Sequence, residues 1–102
     1  MTEYSIHITL ADLCHHTDTP QETIVEFVEL GILEPVDQTQ TDWIFAVETV
    51  QIIRRANRLH QDLGINWAGV ALALDLLSQR EQLQLENQAL RQRLQRFLLD
   101  EN

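Results

Sequence analysis

From Trp67 through Leu99 the chain contains no proline and, after Gly69, no glycine. That uninterrupted stretch predicts a single helix of about 33 residues, roughly 50 Å long at ~1.5 Å per residue. A chain of 102 residues builds one small domain with a modest core. Such a domain cannot enclose a helix of that length, so the helix has to meet another chain or extend from its own. Leu76, Leu83, Leu90 and Phe97 recur every seven residues, and as d positions they place Ala73, Arg80, Asn87 and Leu94 at a. This is a leucine-zipper pattern with two polar a positions, and it points to a homodimer sealed by Leu76, Leu83, Asn87, Leu90, Leu94 and Phe97. In a parallel pair, Glu86 at g meets Arg91 at the next e of its partner. The alternative is a helix whose leucines pack back within one chain.

Ahead of this tail the sequence reads as short elements. Ile6 and Ile8 alternate with His7 and Thr9 in an extended lead-in. Thr9, with Asp12 three residues on, predicts an N-capped helix over about 9–16. Thr19-Pro20-Gln21-Glu22 predicts a second start, with Thr19 as N-cap, Pro20 in the first helical position and Glu22 completing a capping box. Ile24, Phe27 and Val28 form its apolar stripe, and Gly31 ends it. Two short helices across a tight turn are a helix-turn-helix. Residues 32–46 combine Pro35, a polar run and the aromatic stretch Trp43-Ile44-Phe45, which predicts a local hairpin or wing. A third helix is expected over about 47–63, closed by Gly64, and Asn66 is placed to cap the fourth. The expected division is a winged helix-turn-helix-like domain over 1–65 and a long helix with coiled-coil tail over 66–102.

The charge is unevenly placed. Residues 1–53 hold ten carboxylates and neither Lys nor Arg, whereas the remainder carries seven Arg against six acids, for a net charge of −9. A nucleic-acid backbone is gripped by cations, and the helix-turn-helix half supplies none. Nucleic acid is therefore not the expected partner, and an acidic surface for a basic protein is. The opening residues lack a basic and then apolar leader, and no apolar run approaches membrane-spanning length, so a cytoplasmic protein with no membrane contact is expected. Cys14 is the single cysteine and reads as a small buried hydrophobe. His15 and His16 beside it point about 100° apart on a helix and do not converge on one ion. No phosphate loop and no nucleophile–base set can be assembled. The expectation is a non-enzyme with no cofactor and no metal.

The element order, with Gly31-Ile32-Leu33-Glu34-Pro35 and Leu63-Gly64-Ile65 at its joints, resembles the MerR-type transcription regulators over nearly the whole chain. It departs from them where DNA contact occurs. That family carries Arg and aromatic residues on its second helix and a further Arg in the wing; here those segments read Thr23-Ile24-Val25-Glu26-Phe27-Val28-Glu29 and Gln40-Thr41-Asp42-Trp43-Ile44-Phe45. Leu30 to Pro35, Trp43-Ile44-Phe45, Arg55-Ala56-Asn57-Arg58-Leu59, Asn66 to Leu74 and Glu86 to Leu94 more closely resemble the CbpM chaperone-modulator family, a divergent relative. The fold class expected is mainly α, a MerR-like winged helix-turn-helix domain with a long C-terminal coiled-coil helix.

What the CbpM resemblance implies is binding to the J-domain of a CbpA-type (DnaJ-like) co-chaperone and inhibition of its stimulation of the DnaK ATPase. Glu22, Glu26 and Glu29 at i, i+4 and i+7 share one helical face. With Asp42 they would attract a basic helix, and Val25, Trp43 and Phe45 are the candidate apolar anchors. The bland alternatives are a solvated acid face and aromatics that pack the wing onto the domain. Arg54 and Arg58, four residues apart, are expected to pair with acids of the N-terminal half or of a second subunit, and phosphate is the other possibility. The competing function is a MerR-like transcription regulator, or an anti-regulator acting through mixed dimers. A DNA-mimicking anti-repressor shares only the charge.

Overall fold

The computed structural model describes residues 6–36 and 42–100. In chain order they form β1 (His7–Thr9), α1 (Leu10–Thr17), α2 (Gln21–Glu29), β2 (Ile44–Ala46), α3 (Thr49–Leu63) and α4 (Trp67–Asp100). Two compact units are present, Met1–Leu72 and Ala73–Asn102. The first turns of α4 take part in the core of the first unit. Val70 is fully buried and Trp67 meets the ring of Phe27 edge-on at 4.7 Å.

The capping chemistry explains most of the helix ends. The Thr9 hydroxyl accepts the Asp12 amide at 3.2 Å and starts α1. Asp18 ends it in the left-handed region at φ 50, a conformation Asp tolerates better than most residues. Gly31, at φ 77, closes α2 in a Schellman turn: its amide donates to Val28 O and the Ile32 amide to Phe27 O. Gly64 at φ 62 ends α3, and the Asn66 side chain accepts the Gly69 amide at 2.8 Å to start α4.

One helix start differs from the sequence expectation. Thr19 does not cap α2. It is buried, its hydroxyl donates to Thr17 O and accepts from Asn57 Nδ2, both at 3.0 Å, and Pro20 stands at the cap position without a side-chain bond. The long-range bond to α3 outcompetes the local cap, so the capping box with Glu22 does not form. The strand of the wing segment also pairs outside that segment. Ile44–Ala46 pairs antiparallel with His7–Thr9, with Ile8 opposite Phe45, and the Val47 amide extends the ladder to Ile6 O. The arms of the 32–46 segment are tied by the Val36 amide to Ile44 O at 2.8 Å. The polar run of that segment, residues 37–41, lies outside the described residues.

The first unit closes over Leu13, Ile24, Phe27, Leu33, Phe45, Ile53, Ala56 and Val70, all buried. Burying each of the larger side chains contributes about 1.5–3 kcal/mol. The second unit, described by itself, is helix alone, and every residue from Ser78 to Asp100 is exposed. No helix among the described residues is long and apolar enough to cross a membrane.

Candidate partner-binding surface

α2 has two distinct sides. Ile24 and Phe27 face the core, while Glu22, Glu26 and Glu29 are exposed and Val25 is half-buried between the two sets. Glu22 lies in the first turn, where a carboxylate complements the helix dipole, whereas Glu26 and Glu29 lie in the last turn, where the dipole opposes them. Gln21, Val25 and the three glutamates line a shallow groove of about 690 Å³.

Gln21 and Val25 also line a second groove of about 610 Å³, whose other walls include Leu10 of α1 and Asp42 and Trp43 beside β2. Two grooves sharing two residues make one continuous surface, acidic along α2 and apolar toward Trp43. Trp43 is half-buried, its ring meeting Phe45 edge-on at 6.2 Å and 89°, which leaves part of the indole available. The β1–β2 pairing fixes that position, since Trp43 immediately precedes β2. Of the seven residues expected to face a partner, Glu22, Val25, Glu26, Glu29, Asp42 and Trp43 therefore come together. Phe45 does not join them. It has no exposed surface and belongs to the core, where it pairs across the ladder with Ile8. Strand periodicity gave no signal of this, since it places Trp43 and Phe45, two residues apart, on one face.

On α4, the side chains of Leu76, Arg80, Leu83, Asn87 and Arg91 line one open stripe of about 710 Å³. Leu90, Leu94 and Phe97 continue the heptads and remain 61%, 58% and 59% exposed. Leu85, Leu98 and Leu99 are exposed as well, so apolar surface extends beyond one narrow seam.

The other chemistry-bearing groups do little here. Burial pushes the Cys14 thiol above its ordinary value, which keeps it protonated and a poor nucleophile. His15 and His16 stand edge-to-face in the last turn of α1. Among the described residues no group of three His, Cys, Asp or Glu is placed to hold a metal ion. Arg54 and Arg58 make no ion pair with another described residue, so of the two expected sources of acid partners, the N-terminal half and a second subunit, the described part of the first supplies none. The aromatic arrangement at the α3–α4 joint was not foreseen. His60 stacks on Trp67 at 4.1 Å and 21°, held by a 2.7 Å bond between its Nδ1 and Ile65 O. The seven-residue spacing of His60 and Trp67 across Gly64 gives no warning of it.

This architecture, two short helices, a wing-like segment and a long terminal helix, is that of a helix-turn-helix regulatory protein. Residues 8–92 match the family described as MerR HTH family regulatory protein. Among similar proteins, a chaperone modulatory protein CbpM of Pseudomonas putida is 45% identical over 92 residues, covering 90% of this chain and 91% of that protein. One of Salmonella paratyphi A, bearing the same name, is 38% identical over 98 residues, covering 96% of this chain and 97% of its own. The chain belongs to the CbpM family, within the MerR-like helix-turn-helix group.

Proposed function

We propose that this protein is a non-enzymatic chaperone modulator that binds the J-domain of a CbpA-type co-chaperone and so inhibits its stimulation of DnaK. The names of its relatives support the chaperone role, since both proteins are chaperone modulatory proteins. The observation that carries the site is the joining of the α2 acids to the Trp43 groove through Val25. A basic helix of the partner lies along Glu22, Glu26 and Glu29, with Asp42 adding charge. Val25 and the available part of Trp43 supply the desolvated contact from which affinity comes. Exposed carboxylates chiefly steer encounter, so binding weakens as salt rises. The helix that would read a DNA groove carries these acids and no cation, which disfavours a phosphate backbone in its place.

In this reading the α4 stripe joins two copies as a homodimer. The heptad leucines remain exposed among the described residues of the second unit, and Asn87 at an a position favours a dimer in fixed register. Titration calorimetry of an isolated CbpA-type J-domain into the full chain tests the proposal. Saturable, salt-weakened heat is expected. No heat, with duplex DNA binding instead, would return the protein to the transcription regulators.

A further inference from the structure

A third concave site shares no residue with the acidic surface. It holds about 490 Å³ between the α1–α2 turn, α3 and Trp67, and it touches α2 only through Thr23 and the cap residue Pro20. Arg54 and Arg58, one helical turn apart, line it. Both guanidiniums are exposed and neither pairs with a described carboxylate, although the chain carries 16 acids against seven Arg. The surroundings of these two groups are fixed. Asn57, between them in sequence, is bound to buried Thr19 at 3.0 Å, and Trp67 is held by the ring of His60 on one contact and Phe27 on another. The first turn of α2 opens here without a side-chain cap, which adds a weak positive end to the same pocket.

We propose that this pocket takes the carboxylate of an Asp or Glu side chain presented by a partner protein, bridged by Arg54 and Arg58. Guanidinium forks match a planar carboxylate in geometry as well as charge. Asp18 also lines the pocket and reduces its local charge from two positive groups to a net of one, which suits one carboxylate better than a run of phosphates. Asp18 further offers an acceptor to a backbone amide next to that carboxylate, as a peptide provides and a free anion does not. A duplex would also bring about one phosphate charge per 1.7 Å against the ten carboxylates of residues 1–53. The inference is independent of which protein fills the acidic surface.

The test uses the full chain labelled with nitrogen-15, titrated with acetyl-Gly-Gly-Asp-Gly-Gly-amide, with its Asn counterpart and with a short DNA duplex at constant ionic strength. The Asp peptide should shift the Arg54 and Arg58 Nε–H and Trp67 indole N–H signals saturably, and the Asn peptide should bind about tenfold or more weakly. Arg54→Gln/Arg58→Gln should abolish the response while leaving distant amide signals in place. Arg54→Lys/Arg58→Lys, which keeps the charge and protects against a folding artefact, should weaken it several-fold. Equal responses to the Asp and Asn peptides, or a response surviving in the Gln variant, would overturn the proposal. So would a duplex that saturates these signals in preference to the Asp peptide. A J-domain that fails to bind the wild-type chain would bear on the function proposed above and leave these outcomes unchanged.

Discussion

Replacing Leu83 and Leu90 with Gln should dissociate the proposed dimer. Gln preserves helix propensity, so the perturbation falls on the seam and not on the helix. In the single chain these leucines are 64% and 61% exposed. Complete burial of a leucine is worth about 1.5–3 kcal/mol, so covering the exposed part of each contributes about 1–2 kcal/mol. Two leucines in each of two chains give about 4–8 kcal/mol per dimer, and at ~1.4 kcal/mol per decade the dimer Kd should rise by about three to six orders of magnitude. Sedimentation equilibrium across a wide concentration range reads this directly. Circular dichroism supplies a second readout, because a lone helix without a packing partner is only marginally stable in water and helicity should fall. An unchanged dimer Kd would refute the reasoning and move the interface to other apolar residues, of which Leu85, Leu98 and Leu99 are exposed.

Other perturbations separate the surface from the scaffold. Glu22→Lys/Glu26→Lys/Glu29→Lys should weaken J-domain binding by about tenfold or more, given ~0.2–1 kcal/mol for each exposed pair lost and similar repulsion gained. Its helical spectrum should be unaltered, and unchanged affinity would remove that face from the site. Trp43→Ala should reduce J-domain affinity and flatten nothing in its salt dependence, whereas a lost salt dependence would show that the ring acts through the acids. Phe27→Ala empties a fully buried site and breaks the Trp67 ring contact, so chemical denaturation should report a loss of about 3–5 kcal/mol. Asn66→Ala removes the α4 cap and should cost about 1 kcal/mol, with no change in dimer or partner affinity.

The parts of this fold that follow from local chemistry were legible in the sequence. Thr9, Gly31, Gly64 and Asn66 act within four residues of themselves, and each does in the structure what its residue type suggests. The failures involve choices made at a distance. Thr19 looked like a cap, but Asn57, 38 residues away, claims its hydroxyl. Ile44–Ala46 was legible as a strand of the wing, but its pairing with His7–Thr9, far away in sequence, was not. A strand's hydrogen bonds do not announce their recipient, and two three-residue strands are too short for side-chain pattern to specify one. The acidic face was readable because helical periodicity alone assembles it. That Val25 and Gln21 connect it to Trp43 depends on how β2 is held against the start of α1, and required tertiary structure. Arg54 and Arg58 were visible as a pair; their lack of acid partners among the described residues was not, because surplus charge in sequence says nothing about reach.

The central claim is that an acidic, Trp43-flanked surface on this chain engages a J-domain. It is tested most directly by calorimetric titration of a CbpA-type J-domain into the full protein at low and at moderate salt, beside the triple Glu→Lys variant. We expect saturable binding that weakens with salt and is lost or sharply reduced in the variant. Binding indifferent to both salt and the three charge reversals, or no binding under either condition, would contradict it.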